Sequence, residues 1–282
     1  MRKFLFSRRT LCCLLLLSAI VASTLTWARW RPAQRFEFQE LKANELRLVT
    51  WNVGYFAATH NKNLRDVDIA EIVDVLDGIS PDAVVLQELS SVQQAETIAE
   101  GLGADWHAHT VETGHQGQVL AVLSDLPYEK VYSEEAGGRN MVGVTLGENP
   151  EQQMFILGVH SPHPARGMSD TVDNIRGAVA MTANRDEPIR IIAGDMNYNF
   201  DVDDTDGPLY QEIMDVLSDS TEALGETYYA HTRIDHVFHF PETLDVVEEV
   251  SGMVDLPLRF ANVPGFRDHR PIVVTYDMTE ML

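Results

Sequence analysis

In Ile189-Arg190-Ile191-Ile192-Ala193-Gly194-Asp195-Met196-Asn197, an apolar run stops abruptly at a glycine, an aspartate and an asparagine. The β-branched Ile189, Ile191 and Ile192 favour extended backbone, and the polar ending marks a strand terminus at a sheet edge. Working outward, the chain alternates strands and helices. Helical spacing over 170–184 precedes the run, and Gly207-Pro208 opens a helix reaching Leu217, with proline suited to the first turn. Nearer the N-terminus, Leu46 to Val53 is rich in strand formers, and Asp66 to Ile79 sets Val67, Ile69, Ile72, Val73 and Leu76 at helical spacing. Ser80-Pro81-Asp82 breaks that helix, and Ala83-Val84-Val85-Leu86 is a short apolar strand ending at Gln87-Glu88. A helix over 91–102 and strands over 105–111, 118–124, 141–146 and 153–160 follow. Strands over 233–240, 244–250 and 271–277 close the pattern. With no tandem repeat or low-complexity linker, about 250 residues are expected to form one α/β domain.

Several strands finish in polar residues. The strand 46–51 ends at Asn52, 83–86 at Glu88 and 153–159 at His160, while Arg267-Asp268-His269 precedes the last strand. Singly, each has a plain structural reading: Asn52 suits a strand-end turn, Asp195 a helix cap, and His160 a satisfied core histidine. Jointly, five elements that each bring a hydrogen-bonding or charged group to a sheet edge point to one convergent site.

Composition narrows the partners. The 282 residues are 45% hydrophobic and 23% charged, as expected of a chain that buries a core. There are 21 Lys and Arg against 43 Asp and Glu, a formal charge of −22. No acid precedes Glu37, so residues 29–282 hold 17 bases and 43 acids, or −26. Such a surface repels polyanions, because nucleic-acid binding draws its affinity from basic groups on phosphates. Broad nucleic-acid binding is disfavoured; a local basic or metal-assisted site is not. A saline habitat is another reading of the acidity.

Residues 1–28 read as a signal peptide or membrane anchor. Arg2, Lys3, Arg8 and Arg9 form a basic front, followed by an uncharged apolar run from Leu11 to Trp27 and a passable cleavage site at Thr26-Trp27-Ala28. Ser7-Arg8-Arg9-Thr10-Leu11 also resembles a twin-arginine signal. The expectation is export to the periplasm or medium, with anchoring by residues 11–27 as the alternative. Membrane contact is then expected only through that segment, if it stays uncleaved. Residues 29–44 read as a tether and 45–282 as the catalytic domain. Cys12 and Cys13 are the only cysteines, so the exported part has no thiol, and any metal there needs oxygen or imidazole ligands.

Thr50-Trp51-Asn52, Leu86-Gln87-Glu88, Gly194-Asp195-Met196-Asn197, Arg233-Ile234-Asp235 and Asp268-His269-Arg270-Pro271 occur in one order. That series resembles the endonuclease/exonuclease/phosphatase superfamily, which includes DNase I-like nucleases, neutral sphingomyelinases and inositol-polyphosphate 5-phosphatases. The resemblance covers residues 46–277. It implies an α/β fold of four layers, two stacked β-sheets flanked by helices, and metal-dependent phosphoester hydrolysis. It further implies Mg²⁺, with Mn²⁺ or Ca²⁺ as alternatives, held chiefly by Glu88 with help from Asn52 and with Asp268 at a second position. Asp195 would orient or deprotonate the attacking water, and Asn197 would hold a phosphate oxygen. His269 would contact the phosphate, oriented by Asp235. His160 would be the second histidine of the DNase I and sphingomyelinase relatives, a general acid or transition-state stabiliser.

The match has departures. Arg267 stands where the family usually has serine, and is either a bidentate phosphate ligand or a salt-bridged loop residue. Met196 replaces the common Phe or Leu, a packing change. In the DNase-like branch a glutamate supports the first histidine, and its counterpart is expected within 112–118. Arg139 is a candidate phosphate contact, with a surface role as the equal alternative. The acidic loop of Asp201, Asp203, Asp204 and Asp206 lacks the glycine and glutamate of an EF-hand and reads as solvated. His107, His109 and His115 have ligand-like spacing without a fourth ligand.

The leading expectation is an exported Mg²⁺-dependent phosphoesterase, a monomer acting on a phospholipid headgroup or small phosphodiester. The charge and the Asn197-Tyr198 pair favour that substrate class. A DNase I-like secreted endonuclease is the alternative, with nucleic acid as its partner, and a non-catalytic binding module on the same scaffold is the second.

Overall fold

Two strands and the helix between them set the pattern that the chain uses twice. β1 (Glu45–Asn52) and β2 (Ala83–Leu89) lie side by side and parallel, connected through α1 (Asp66–Ile79). β7 (Met154–His160) and β8 (Ile189–Asp195) are likewise parallel, connected through α3 (Met168–Ala183). Parallel neighbours need such a crossover, and it places a helix on one face of the sheet. The structure, a computed structural model, describes residues 38–54, 66–115, 117–203, 207–227, 232–254, 256 and 269–279, with backbone alone at 66–68.

Antiparallel strands extend each pair into a sheet. The first sheet adds β3 (His107–Glu112), β4 (Val119–Ser124), β11 (Asp245–Val246), β12 (Gly252–Met253) and β13 (Ile272–Asp277), in the order β11-β13-β1-β2-β4-β3 with β12 also on β13. The second adds β5 (Tyr128–Ala136), β6 (Arg139–Leu146), β9 (Ser218–Asp219) and β10 (Asp235–Phe240), in the order β5-β6-β7-β8-β10-β9.

Period-two alternation sorts the side chains into layers. Val49 and Trp51 of β1, Val84 and Leu86 of β2, and Ala121 and Leu123 of β4 pack with Ile72, Leu76 and Ile79 of α1 and with Ile98 of α2 (Val92–Leu102). On the opposite flank, Phe155, Leu157 and Val159 of β7 pack with Ile175 and Met181 of α3 and with Leu209 and Ile213 of α4 (Pro208–Met214). The other faces of the two sheets meet each other. A Cβ placed on Gly158 of β7 would lie 3.1 Å from Val85 and 3.3 Å from Val122, so glycine here lets the sheets approach closely. The result is helices, sheet, sheet, helices, the four layers that the sequence motifs implied. Among the described residues, no helix is long and apolar enough to cross a membrane.

Two expectations are corrected. The sequence pattern gives no strand over 128–136, yet β5 runs there as the edge of the second sheet, with most of its residues exposed. Of Tyr-Glu-Lys-Val-Tyr-Ser-Glu-Glu-Ala only Tyr132 and Ala136 reach the core, too few for an apolar period, and the charges suit an edge that must not pair with other chains. The strand expected over 244–250 is instead the two-residue β11 followed by a 3-10 turn over 248–250, where Val250 is buried.

Candidate active site

The strand registers bring the polar endings together. In parallel β7 and β8, His160 stands opposite Asp195; in antiparallel β8 and β10, Asp195 stands opposite Asp235. Three neighbouring strand ends therefore put an imidazole and two carboxylates in one row across the second sheet. In the first sheet Asn52 pairs in register with Gln87, and Glu88 follows with a positive φ of 63°. That conformation is uncommon for a non-glycine residue. β13 runs antiparallel to β1, so His269, just before it, starts beside the end of β1.

Asp195 is the centre. Its Oδ2 accepts from Asn52 Nδ2 at 2.9 Å, a bond between the two sheets, and from Asn197 Nδ2 at 3.3 Å. Its Oδ1 accepts from the Asn197 backbone N–H at 2.7 Å. Gly194 makes this turn possible. With φ at 150°, a Cβ there would fall 1.9 Å from the Val159 carbonyl oxygen. Asn197 takes a φ of 48°, and its Nδ2 also donates to the Ser161 carbonyl at 3.0 Å. Asn52 Oδ1 accepts from the Gly54 N–H at 2.8 Å. Both amides thus brace Asp195 and its loop.

Two imidazoles face Asp195 Oδ2: His269 Nε2 at 3.7 Å and His160 Nε2 at 3.8 Å. Their backing differs in sign. His269 Nδ1 donates to both oxygens of Asp235, each at 2.9 Å, and Asp235 Oδ2 also accepts from Thr227 Oγ1 at 2.8 Å. His160 Nδ1 accepts from Arg139 Nη1 at 3.1 Å, and the same nitrogen donates to Gln118 Oε1 at 3.1 Å. The carboxylate expected within 112–118 behind this histidine is absent among the described residues. Gln118 occupies the expected stretch and reaches His160 only through Arg139. Arg139 is therefore neither a surface residue nor, in this arrangement, simply a phosphate contact.

The electrostatics follow. Burial pushes the Asp195 carboxyl up, and nearby Asp235 adds to this, while His269, Asn52 and Asn197 oppose it; the balance is about 7. Burial alone would lower His269, but Asp235 and Asp195 together outweigh it and raise the imidazole to about 9. His160 is held well below the ordinary histidine value by burial and then by Arg139. The site therefore combines a carboxyl close to neutral pH, a protonated imidazole and a neutral one.

Glu88 lies at the cleft mouth with its side chain 17% exposed and Oε1 3.5 Å from His160 Nε2. Asp268 and Arg267 lie outside the described residues. Oxygen ligands from Asp195 and Asp235 and a nitrogen of His269 fall within 4.8 Å of one another, close enough to hold a metal ion. His269 Nδ1 is committed to Asp235, however, so a hard dication is better matched by oxygen donors. Those are the carboxylate of Glu88 and the second lone pair of Asn52 Oδ1. This donor set, with no sulfur, fits Mg²⁺, Mn²⁺ or Ca²⁺. Thr227, Gln118 and the role of Arg139 escaped the sequence reading, since each acts through a contact distant in sequence and has no motif.

The fold has solved counterparts. An endonuclease/exonuclease/phosphatase from Beutenbergia cavernae superposes with a TM-score of 0.65 at 22% identity, over 83% of this chain and 72% of that one. D. rerio TDP2 complexed with a single-strand DNA product gives 0.64 at 14% identity, over 82% and 98%. A mannosyl-6-phosphatase from Bacteroides thetaiotaomicron gives 0.58 at 15%, over 81% and 98%. At these identities the likeness establishes the fold alone. No curated protein matches the chain in sequence. The profile described as the Endonuclease/Exonuclease/phosphatase family matches residues 49–255, from within β1 through β2, β7, β8 and β10 with their polar endings; His269 lies beyond it. The chain belongs to the endonuclease/exonuclease/phosphatase family, whose members hydrolyse phosphoester bonds.

Proposed function

We propose that this protein is an exported, Mg²⁺-dependent phosphoesterase whose substrate is a small phosphodiester or a phospholipid headgroup. The observation that carries the proposal is the convergence on Asp195 Oδ2 of Asn52 and His269 from one sheet and Asn197 and His160 from the other. Export rests on the basic front and apolar run of residues 1–28.

Asp195, with its pKa near 7, is suited to take the proton of an attacking water onto Oδ2. Asn52 and Asn197 keep that oxygen aimed into the cleft. His269, protonated because Asp235 supports Nδ1–H, presents Nε2–H to a phosphate oxygen and offsets charge that builds up during attack. His160 presents a second Nε2 to the same space. Glu88, assisted by Asn52 and by Asp268 in the segment outside the described residues, would hold the metal. When bound, the dication neutralises phosphate charge and lowers the pKa of its water.

The charge of −22 supports a small substrate over a polynucleotide. The likeness to a TDP2 bound to single-strand DNA favours a second reading, a secreted nuclease. A substrate panel on purified 29–282, with Mg²⁺ or EDTA, tests both. It holds supercoiled plasmid, sphingomyelin, a phosphoinositide and a chromogenic phosphodiester, each alongside Asp195→Asn. Turnover of lipid or small ester with intact plasmid, lost in EDTA and in the variant, is the expected result. Plasmid nicking with the same sensitivities replaces the proposal by the nuclease reading. Silence on every substrate leaves the non-catalytic module.

A further inference from the structure

A guanidinium has five N–H donors and no acceptor. Arg139 Nη1, 3.1 Å from His160 Nδ1, can only donate, so Nδ1 must keep its lone pair. An imidazolium would set two N–H donors against each other at that distance. Turning the ring over would put a C–H against the guanidinium and lose the bond. The ring proton therefore sits on Nε2, the nitrogen facing Glu88 Oε1 at 3.5 Å and Asp195 Oδ2 at 3.8 Å.

Arg139 is built into this position. It is 4% exposed at the start of β6, and Nη1 is also tied to Gln118. Its neighbour Asn140 is anchored through Nδ2 to the Glu112 carbonyl and through its N–H to that of Thr113. Among the described residues no carboxylate forms an ion pair with Arg139, although acids outnumber bases 43 to 21 in the chain. An ordinary structural arginine, buried at a cost, would have a carboxylate partner. This one has a glutamine and a catalytic-site histidine instead.

On the phosphoesterase reading above, we propose that Arg139 is a positioning residue that locks His160 in its neutral Nε2–H form. His160 then serves as a fixed hydrogen-bond donor to a phosphoryl or leaving-group oxygen, and no proton leaves it during turnover. This decides between the two roles the family resemblance left for His160, in favour of transition-state stabilisation.

The test uses the protein over 29–282 labelled with ¹⁵N-histidine, with His160→Gln to assign the His160 signals. The expected spectrum has an unprotonated-type Nδ1 and a protonated-type Nε2 for His160. Arg139→Met should scramble that tautomer and lower kcat by about tenfold or more, with KM little changed, since one positioned donor to the transition state is lost. Arg139→Lys, which still donates and cannot accept, should keep the signature and recover most of kcat. A protonated Nδ1 in the wild type overturns the proposal. So does an Arg139→Met protein with the wild-type spectrum and kcat, or an Arg139→Lys that fails to rescue. If no phosphoester is turned over at all, the functional reading falls, and the spectrum still decides the tautomer.

Discussion

The second sheet carries a charged cluster at each end, and the two are built on opposite principles. Where β8 begins, Glu187 accepts from Arg185 Nε at 3.0 Å and Nη2 at 2.5 Å and from Thr145 Oγ1 at 2.6 Å. Arg185 also bonds the Tyr132 hydroxyl and lies over the Tyr132 and Phe155 rings. The Arg185–Glu187 pair is shifted toward its charged forms: Arg185 goes up, and Glu187, despite burial, is brought down to about 2 by Arg185 and Thr145. Where β8 ends, His269 is raised to about 9 beside Asp235, but the other shifts run against the charged forms. Asp195 is raised, His160 is lowered, and Arg139 is lowered to about 10, first by burial and then by Arg166. One end has its charges matched for stability. The other holds Asp195 near its switching point between a neutral and a protonated imidazole, as a site for proton transfer and phosphate binding requires.

Substitutions at the two ends should therefore differ in kind. The largest effect is expected from Gly194→Ala, because its Cβ would meet the Val159 backbone at 1.9 Å. We expect a loss of about 3 kcal/mol or more and little folded protein, measured by denaturant unfolding. A variant of wild-type stability would mean the turn that holds Asp195 is far more yielding than its geometry indicates.

Next is Asp195→Asn, expected to lower kcat by about a thousandfold or more with the fold intact. The comparison adds a second expectation. Because the folded carboxyl is raised from 3.8 to about 7, the fold loses stability as pH rises from about 3.8 to about 7, and the loss is complete above that. In EDTA at neutral pH the asparagine variant should melt above the wild type. A lower Tm would show that the cleft end is as well matched as the far one.

Asp235→Asn should reduce kcat by about a hundredfold, since His269 loses its anionic partner and the fixed Nδ1–H bond. The ¹⁵N spectrum of His269 should shift toward the neutral ring. Unchanged turnover would remove His269 from the chemistry.

The smallest effect belongs to the far end. Glu187→Gln should leave kcat and KM unchanged and cost about 1–2 kcal/mol at neutral pH, in keeping with lost charge-assisted bonds. The folded carboxylate lies below its ordinary 4.5, so its contribution is complete above that value and fades as pH falls toward about 2. Wild-type and variant unfolding curves should accordingly converge over that acid range. A gap that persists at pH 2 would mean packing, and not charge, holds the cluster.

Much of this was legible in the chain. Apolar periodicity located α1, α2, β1, β2, β7 and β8, because a buried face must repeat with the period of its element. Polar residues at the ends of those strands marked Asn52, Glu88, His160, Asp195 and Asn197 as one set, since strands of one layered domain end on common edges. Edge strand β5 was not legible: with only Tyr132 and Ala136 turned to the core, it leaves no apolar period in the sequence. The partner of His160 was not legible either. An acid near residues 112–118 was the expectation, and Gln118 and Arg139 took its place.

The sequence by itself therefore determined most of the element order and the set of strand-end residues from local pattern, and its resemblance to the family implied the four layers. Asp235 behind His269 was implied by the motif series, whereas the group behind His160 was decided only by the tertiary structure. Asp235 joins His269 from 34 positions away and Arg139 joins His160 from 21, and side-chain hydrogen bonds between distant segments leave no trace in local spacing. Those bonds set where the protons sit, and so which histidine is charged.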